Sequence, residues 1–413
     1  MFADLHLHSH YSRATSPECN PVGLGRFAQI KGVDVCGTGD CTHPIWFAEL
    51  AEKLVAEGNG LYRLKEQYFP TEGIPEACRR PVRFMVTGEI SSIYKRGGRC
   101  RKVHSVVCFP SLESAAKLNA MLEKVGNIHS DGRPILGLDP RDLLKMMKEA
   151  DERAVMIPAH IWTPWFSMLG AKSGFDSLEE CFGELSKEIF AVETGLSSDI
   201  PMNRRIRCLD HLTLISDSDL HSPANLGRNA TCFYGEPSFD GIMEAYRTRN
   251  PKTFGGTIDL FPEEGKYHLD GHRACDVCLT PEESMKRNNI CPVCGKPLTI
   301  GVLHRVVELE QKQGGAPHVH EDGVPYRYII PLPELLAQKF GVASTTSKKV
   351  QKAYQEILTA QGPELPLLLD APQKVLDGLD EIGAMISAVR AGKVIRKGGY
   401  DGVYGVVRAD LDR

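Results

Sequence analysis

Histidines and carboxylates recur in this chain where apolar runs end, and that placement is the first thing the sequence offers to chemistry. His6 and His8 form an H-x-H pair after Ala3-Asp4-Leu5. Side chains at i and i+2 of an extended strand fall on one side, so two imidazoles can grip one metal ion. Asp219-Leu220-His221 repeats the spacing with a carboxylate and an imidazole. Asp40, Glu89, His104 and His160 each follow or sit inside an apolar run. Any one of them alone reads equally well as a satisfied core polar residue or a surface residue. As a set they suit two or three divalent ions, with a bridging carboxylate holding metals about 3.5–4 Å apart as in two-metal phosphoesterases. Asp219, Glu89 and His160 are the expected catalytic residues, Asp219 being the most sensitive ligand and Asp217 its alternative should the register slip. Mixed imidazole and carboxylate donors accept Zn2+, Mn2+ or Mg2+.

A second constellation lies downstream. Cys275-Asp276-Val277-Cys278 and Cys291-Pro292-Val293-Cys294 are two C-x2-C knuckles twelve residues apart, followed by Gly295. Each knuckle can present two thiolates to one tetrahedral ion, so the four cysteines are expected to hold a structural Zn2+ that supplies folding energy to a segment too short for its own core. His272, His304, His318 and His320 read as solvated or core histidines. The other cysteines among the 13 are scattered singly, which fits a reducing compartment better than a disulfide framework.

The elements that would position these residues follow from the apolar pattern. From Met1 to about Gly265 short β-branched runs alternate with helical stretches, such as Val103–Phe109 followed by 112–125, which reads as βα units. In such folds the C-terminal ends of parallel strands share one face, so residues far apart in sequence can converge. Around Gly255 to Gly265 the pattern fades into a Gly/Pro/acidic linker. Helical patterns then occupy 350–359 and 372–390. The reading divides 413 residues into a catalytic domain at 1–265, a zinc module at 266–318 and a mainly helical C-terminal domain at 319–413.

Charge and aromaticity narrow the partners. The net charge of -4 argues against coating nucleic acid with the whole surface, so any such contact must be a local patch. One candidate is the segment holding Arg79, Arg80, Arg83, Lys95, Arg96, Arg99, Arg101 and Lys102 around the lone acid Glu89, with Lys95, Arg96, Arg99 and Arg101 on a hairpin or loop able to sit on a phosphate backbone. Trp162 and Trp165, directly after His160, could stack a base or pack the rim. The stretch Arg396 to Gly405 could be a docking loop or a bland tail. No apolar run is long enough to span a bilayer and the first residues lack an export pattern; a cytoplasmic protein without membrane contact, associated with the nucleoid through DNA, is expected.

The opening Asp4 to Ser12, the residues Glu89, His104 and His160, and the closing Asp219-Leu220-His221 resemble the PHP family of polymerase- and histidinol-phosphatase-type phosphoesterases. That resemblance implies a distorted (β/α)7 barrel with a trinuclear metal centre. The sequence departs from it twice: Arg13 stands where the family has an acidic ligand, and Thr38-Gly39-Asp40, with His43 beyond, replaces Thr-Asp-His. The whole arrangement, together with Pro158–Ser167, resembles the endonuclease Q family of DNA repair enzymes. It implies cleavage of damaged double- or single-stranded DNA 5′ of a deaminated base (uracil, hypoxanthine, xanthine) or an abasic site, with base extrusion and contact with replication or repair proteins. A phosphatase of small phosphate esters and a non-catalytic DNA-binding adaptor are the competing readings.

Overall fold

The computed structural model describes residues 1–314 and 323–411. His318 and His320, and with them the boundary drawn at 318, lie outside the described residues. Local signals explain the element ends. The helix Pro21–Lys31 begins after Asn20, whose side chain accepts from Gly23 N, has proline in its first turn, and ends at Gly32 in the left-handed region at φ 83°.

A mixed α/β fold results, built on one large sheet. Its strands run in the order Tyr326–Tyr328, Phe254–Asp259, Ala230–Phe233, Phe2–Asp4, Val35–Gly37, Arg83–Arg96, Tyr62–Leu64, Leu54–Ala56. The strands Phe2–Asp4, Val35–Gly37 and Arg83–Arg96 pair in parallel. Ala230–Phe233 lies antiparallel to Phe2–Asp4 on one side and to Phe254–Asp259 on the other. Arg83–Arg96 and Arg99–Phe109 form a long antiparallel hairpin, to which Val155–Pro158 adds. Ala191–Glu193 and Thr213–Ile215 make a separate parallel pair.

Two sequence expectations change here. Glu89 and His104 stand inside the hairpin strands rather than at strand ends, because the antiparallel ladder carries the backbone on past the metal-type residues to a turn at Gly97-Gly98, both at positive φ. The glycines read as a linker belong to a sheet strand: Gly256 lies at φ 87°, and a Cβ there would collide with the Pro325 carbonyl, so glycine at this point permits close approach of the next strand.

Five helices between Leu332 and Arg390 form the C-terminal region. It is tied to the first helix by a buried ion pair, Lys31 Nζ to Glu364 Oε2 at 2.6 Å, whose other oxygen accepts from Leu332 N at 3.0 Å. No described helix is long and apolar enough to cross a membrane.

Candidate metal centre

Strands and the segments that follow them, from five parts of the sequence, deliver the donors to one place. His6 and His8 follow the strand Phe2–Asp4, and an isolated bridge sets Leu7 beside Leu220, so the two i, i+2 pairs read from sequence lie side by side. His6, His8, Glu89 and Asp219 offer one ligand atom each within 4.8 Å of one another, and Glu89, His104 and His160 form a second such group. Glu89 belongs to both. Its Oε2 lies 3.2 Å from His8 Nε2 and 3.4 Å from His6 Nε2, while Oε1 lies 2.6 Å from His104 Nδ1 and 3.2 Å from His160 Nε2. Asp219 Oδ1 completes the first group at 3.1 Å from His8 Nε2.

These donors fit divalent ions on the structure's own terms. His6 Nε2 is buried without a hydrogen bond, although a carboxylate oxygen stands on either side of it at 3.4 and 3.6 Å. An orphaned buried nitrogen of this kind is costly unless something cationic sits among the three groups. The electrostatics agree. Burial opposes charge on His6, yet Glu193, Glu89 and Asp219 pull its pKa well above the ordinary value. Burial likewise raises the Asp219 carboxyl, but His6 and His8 overcome it and hold Asp219 well below the carboxylate range. Around His6 and Asp219 the pocket favours positive charge, whether protons or metal, and a metal must displace those protons, whereas burial holds the His104 imidazole down to about 4.

Backbone conformation sharpens the aim. Asp40, His160 and Asp219 occupy the left-handed region at φ 46°, 29° and 47°, which non-glycine residues adopt at a cost met by surrounding contacts. Around Asp219 those contacts are explicit: Arg228 donates twice to the Ser218 carbonyl, at 3.1 and 2.8 Å, and Asp4 accepts from Ser218 N at 3.0 Å and Gly227 N at 2.9 Å. Asp217 accepts from Leu5 N at 2.6 Å and supports the turn from outside the donor groups, so the register places Asp219, not Asp217, among the donors.

Two residues expected as ligands border the donor groups without belonging to either. Asp40 Oδ2 accepts from Ser9 N at 2.7 Å, Ser9 Oγ at 2.6 Å and Ser12 Oγ at 2.8 Å, and its Oδ1 meets His8 Nδ1 at 3.1 Å. With its lone pairs so occupied, Asp40 orients His8 from behind. His221 lies outside both groups among the described residues, with Nδ1 3.1 Å from its neighbour's carbonyl at Asp219. Conversely, sequence reading passed over Glu193, whose carboxylate meets His6 Nδ1 at 3.0 Å and accepts from His160 N at 2.6 Å. The rule that found the others, a polar residue ending an apolar run, applies to Ala191-Val192-Glu193 as well. Arg133 was also missed; its Nη1 donates to Glu89 Oε2 at 3.0 Å from a turn, Asp131-Gly132-Arg133-Pro134, that carries no apolar pattern.

The expected nucleic-acid residues divide. Trp162 is buried, its Nε1 donating to Asn203 Oδ1 at 2.7 Å, and so has no free face for a base. Trp165 is 46% exposed. Lys95 and Arg99 are exposed near the hairpin tip. Arg96 instead donates to the Cys181 carbonyl at 2.7 Å, and Arg101 lies over the Phe175 ring at 4.1 Å, so both hold the 173–181 loop. Arg80 and Arg83 pair with Asp34 and Glu57 at the other end of the strand, so the basic run is not one continuous rim.

Beside His160, Trp165 and Phe166 line a largely apolar cavity of about 410 Å³ with Thr163, Lys266, His268 and Tyr404. Tyr404 reaches it from the Arg396–Gly405 stretch, which folds back onto the cysteine-bearing segment through Tyr400 Oη to Asp276 at 2.7 Å.

That segment holds its own cluster. His272, Cys275, Cys291 and Cys294 offer donors within 4.8 Å of one another, with Cys294 Sγ 3.5 Å from His272 Nδ1. Cys278 falls outside this group among the described residues. The reason is the hairpin Asp270–His272 with Val277–Leu279: its register sets Cys278 opposite Gly271, one place beyond the His272–Val277 pair, so its side chain leaves by the opposite face.

Comparison with known proteins matches this architecture. The family model described as the MJ0043 C-terminal domain covers residues 331–393, within the helical region. Protein MJ0043 of Methanocaldococcus jannaschii is 32% identical over 255 residues, an alignment that takes in 60% of this chain and spans only 31% of that protein. YqxK of Bacillus subtilis is 28% identical over 99% of both chains. Among solved structures, the lesion-specific endonuclease PfuEndoQ from Pyrococcus furiosus superposes with a TM-score of 0.84 at 30% identity, covering 99% of this chain and 95% of its own. Endonuclease Q in complex with a 27-mer duplex bearing an abasic lesion at the active site superposes at 0.82 with 29% identity, covering 99% and 96%. Fold and kinship together define a phosphodiester hydrolase. The chain belongs to the endonuclease Q family.

Proposed function

We propose that this protein is a metal-dependent DNA repair endonuclease that cuts the phosphodiester 5′ of a deaminated base (uracil, hypoxanthine or xanthine) or an abasic site. The observation that carries the reading is the Glu89-bridged pair of donor groups in a chain whose family includes an endonuclease solved on lesion-bearing duplex. On this reading the sheet is a PHP-type barrel distorted by its antiparallel hairpin, residues 266–318 are a zinc-ribbon module and 319–413 a helical domain.

His6, His8, Glu89 and Asp219 would hold one divalent ion and Glu89, His104 and His160 another. Such ions lower the pKa of water and neutralise charge on the departing oxygen when bound. The chain's own residues do the positioning. Glu193 and Asp40 fix the ring orientations of His6 and His8, as carboxylates behind metal-binding imidazoles do. The reaction joins a water oxygen to phosphorus and breaks the P–O3′ bond; the 3′ oxygen leaves with a proton, and the phosphate stays on the 5′ end of the lesion strand. Selectivity comes from extrusion of the damaged nucleotide, which costs less where pairing is already weak. The cavity beside Trp165 and Tyr404 is placed to accept the extruded unit and stack it.

The test is a labelled duplex carrying one deoxyuridine or deoxyinosine, incubated with Mn2+, Mg2+ or Zn2+ and the wild-type chain or Asp219→Asn. A nick 5′ of the lesion that is lost with Asp219→Asn supports the reading. Release of phosphate from small esters without any nick, or binding of the duplex without cleavage, would sink it.

A further inference from the structure

The cavity beside His160 has two walls that belong to different parts of the chain. One is the run Thr163 to Phe166; the other is Lys266 to His268 together with Val302, the first residue of the helix Val302–Lys312. A single buried side chain ties them. Arg305, one turn into that helix and 5% exposed, sends its guanidinium across to the segment behind Trp165 and Phe166. Its Nε donates to the Leu169 carbonyl at 3.0 Å, and Nη2 donates to the Phe175 carbonyl at 3.1 Å and to Asp176 Oδ1 at 2.6 Å. Lys312, two turns further on, holds the other Asp176 oxygen at 3.0 Å. A guanidinium spread over two carbonyls and a carboxylate fixes three acceptors at once, which the single nitrogen of a lysine could not do.

The helix is a stationary wall, because its far side is anchored as well. His304 Nδ1 meets Asp270 Oδ2 at 2.6 Å, and Asp270 Oδ1 accepts from Gly301 N at 2.6 Å. The opposite wall has no such frame. Between the strand Val155–Pro158 and the helix Leu178–Phe182 the described residues form no helix or strand, so this loop keeps its shape through side contacts. Phe166 lies in the left-handed region at φ 64°, which a non-glycine residue adopts at a cost. A Cβ on Gly170 would collide with the Thr163 carbonyl, and one on Gly174 with Gly170 N, so the loop is folded tightly on itself. On its hairpin side the Phe166 carbonyl accepts from His104 N at 3.0 Å and the Ser173 carbonyl from Lys102 N at 3.3 Å. Arg305 is the matching hold on the helix side.

We infer that Arg305 is a positioning residue that makes this protein discriminate between lesions: by fixing the loop 163–176 against the helix, it sets the spacing of the walls between which an extruded base is held. The inference rests on the endonuclease reading above, and its test separates the two. An abasic unit brings a sugar and no ring to the cavity, so it draws nothing from stacking, whereas a uracil unit does. Loosening the loop should therefore penalise base-bearing lesions and spare abasic ones, a difference that a general loss of stability would not produce.

Amide exchange and duplex affinity, both on the metal-loaded full chain, decide it. In Arg305→Ala the amides of Phe166, Leu169, Gly174 and Phe175 should exchange about tenfold faster, and those of the strand Arg83–Arg96 at the wild-type rate. Affinity is read by fluorescence anisotropy on the uncutting Asp219→Asn background. There Arg305→Ala should bind a deoxyuridine duplex about tenfold more weakly and an abasic duplex within about twofold of its parent, and Arg305→Lys should recover part of both effects. Asp176→Ala removes one partner of the fork from a side chain that is 44% exposed, so it should move both readings the same way by a smaller factor even where Arg305→Ala fails to fold. Equal weakening on the two duplexes, or unchanged exchange in the loop, would overturn the inference. Nicking by the wild-type chain is scored separately. No nick at either lesion would overturn the endonuclease reading, while a shift confined to the deoxyuridine duplex would leave the role of Arg305 standing. Normal nicking together with an Arg305→Ala chain that binds both duplexes as its parent does would do the reverse.

Discussion

The two metal-type clusters of this molecule are built in opposite ways. Donors of the candidate catalytic centre come from positions 6 to 219, most are buried, and they meet only once the chain has folded. Those of the second cluster span 272 to 294, sit in part at the surface, and rest on a small core of Val277, Cys291 and Leu298. The first is a product of the fold; the second has little apolar surface of its own, and on the zinc-module reading its folding would draw on the ion it holds. Metal removal should therefore have different consequences in the two places, and substitutions can break or sharpen the contrast.

The largest effect is expected at the exposed cluster. His272→Ala should lose the bound Zn2+ and, with it, amide-exchange protection over residues 270–300, since structural zinc contributes on the order of 10 kcal/mol to such modules. Strands 83–109 should keep their protection. Cys278→Ser, by contrast, should retain the ion, and Co2+ substitution should give the spectrum of three thiolates and one nitrogen in both the wild type and this variant. Zinc lost from Cys278→Ser and kept in His272→Ala would restore the four-cysteine site.

A smaller effect is expected beneath the catalytic donors. Glu193→Gln leaves every first donor in place but removes the charge that orients His6, so divalent-metal affinity should drop about 10- to 100-fold while the thermal midpoint of the metal-free protein changes little. Titration calorimetry of the two chains would measure it, and equal affinities would reduce Glu193 to a packing residue.

The smallest effect on binding separates two neighbouring tryptophans. Trp165→Ala should weaken lesion-duplex binding about tenfold, from the loss of one stacking face, and leave stability nearly unchanged. Trp162→Ala should do the opposite, costing about 3–5 kcal/mol of stability through the cavity it opens. A shared effect on binding would mean that neither meets a base directly.

What the sequence could and could not disclose follows the same division. Residues ending apolar runs found His6, His8, Glu89, His104, His160 and Asp219, because a polar residue inside or just after a buried strand must have a partner or a purpose. The rule could not tell a donor from the residue behind it: Asp40 and Glu193 look alike in sequence, and only the hydrogen bonds of Ser9, Ser12 and the two imidazoles assign their roles. Spacing brought three of the four cysteines into one donor group, and it could not show the hairpin register that sets Cys278 apart from them, since C-x2-C is blind to that register. Arg133 was invisible because nothing in a turn sequence says which wall it faces. Gly255 and Gly256 misled in the other direction, being read as slack where they allow a tight strand contact.

The left-handed backbone at Asp219 limits what this position can become. A glutamate could reach a cation, a histidine could ligate one, and glycine or asparagine could adopt the turn at φ 47°. Aspartate alone satisfies both the anionic donor and the conformation with a side chain this short. Exchange at Asp219 is thus filtered by the charge of the donor and by the left-handed backbone together, and histidine, which adopts that backbone at position 160, could keep the turn but not the negative charge.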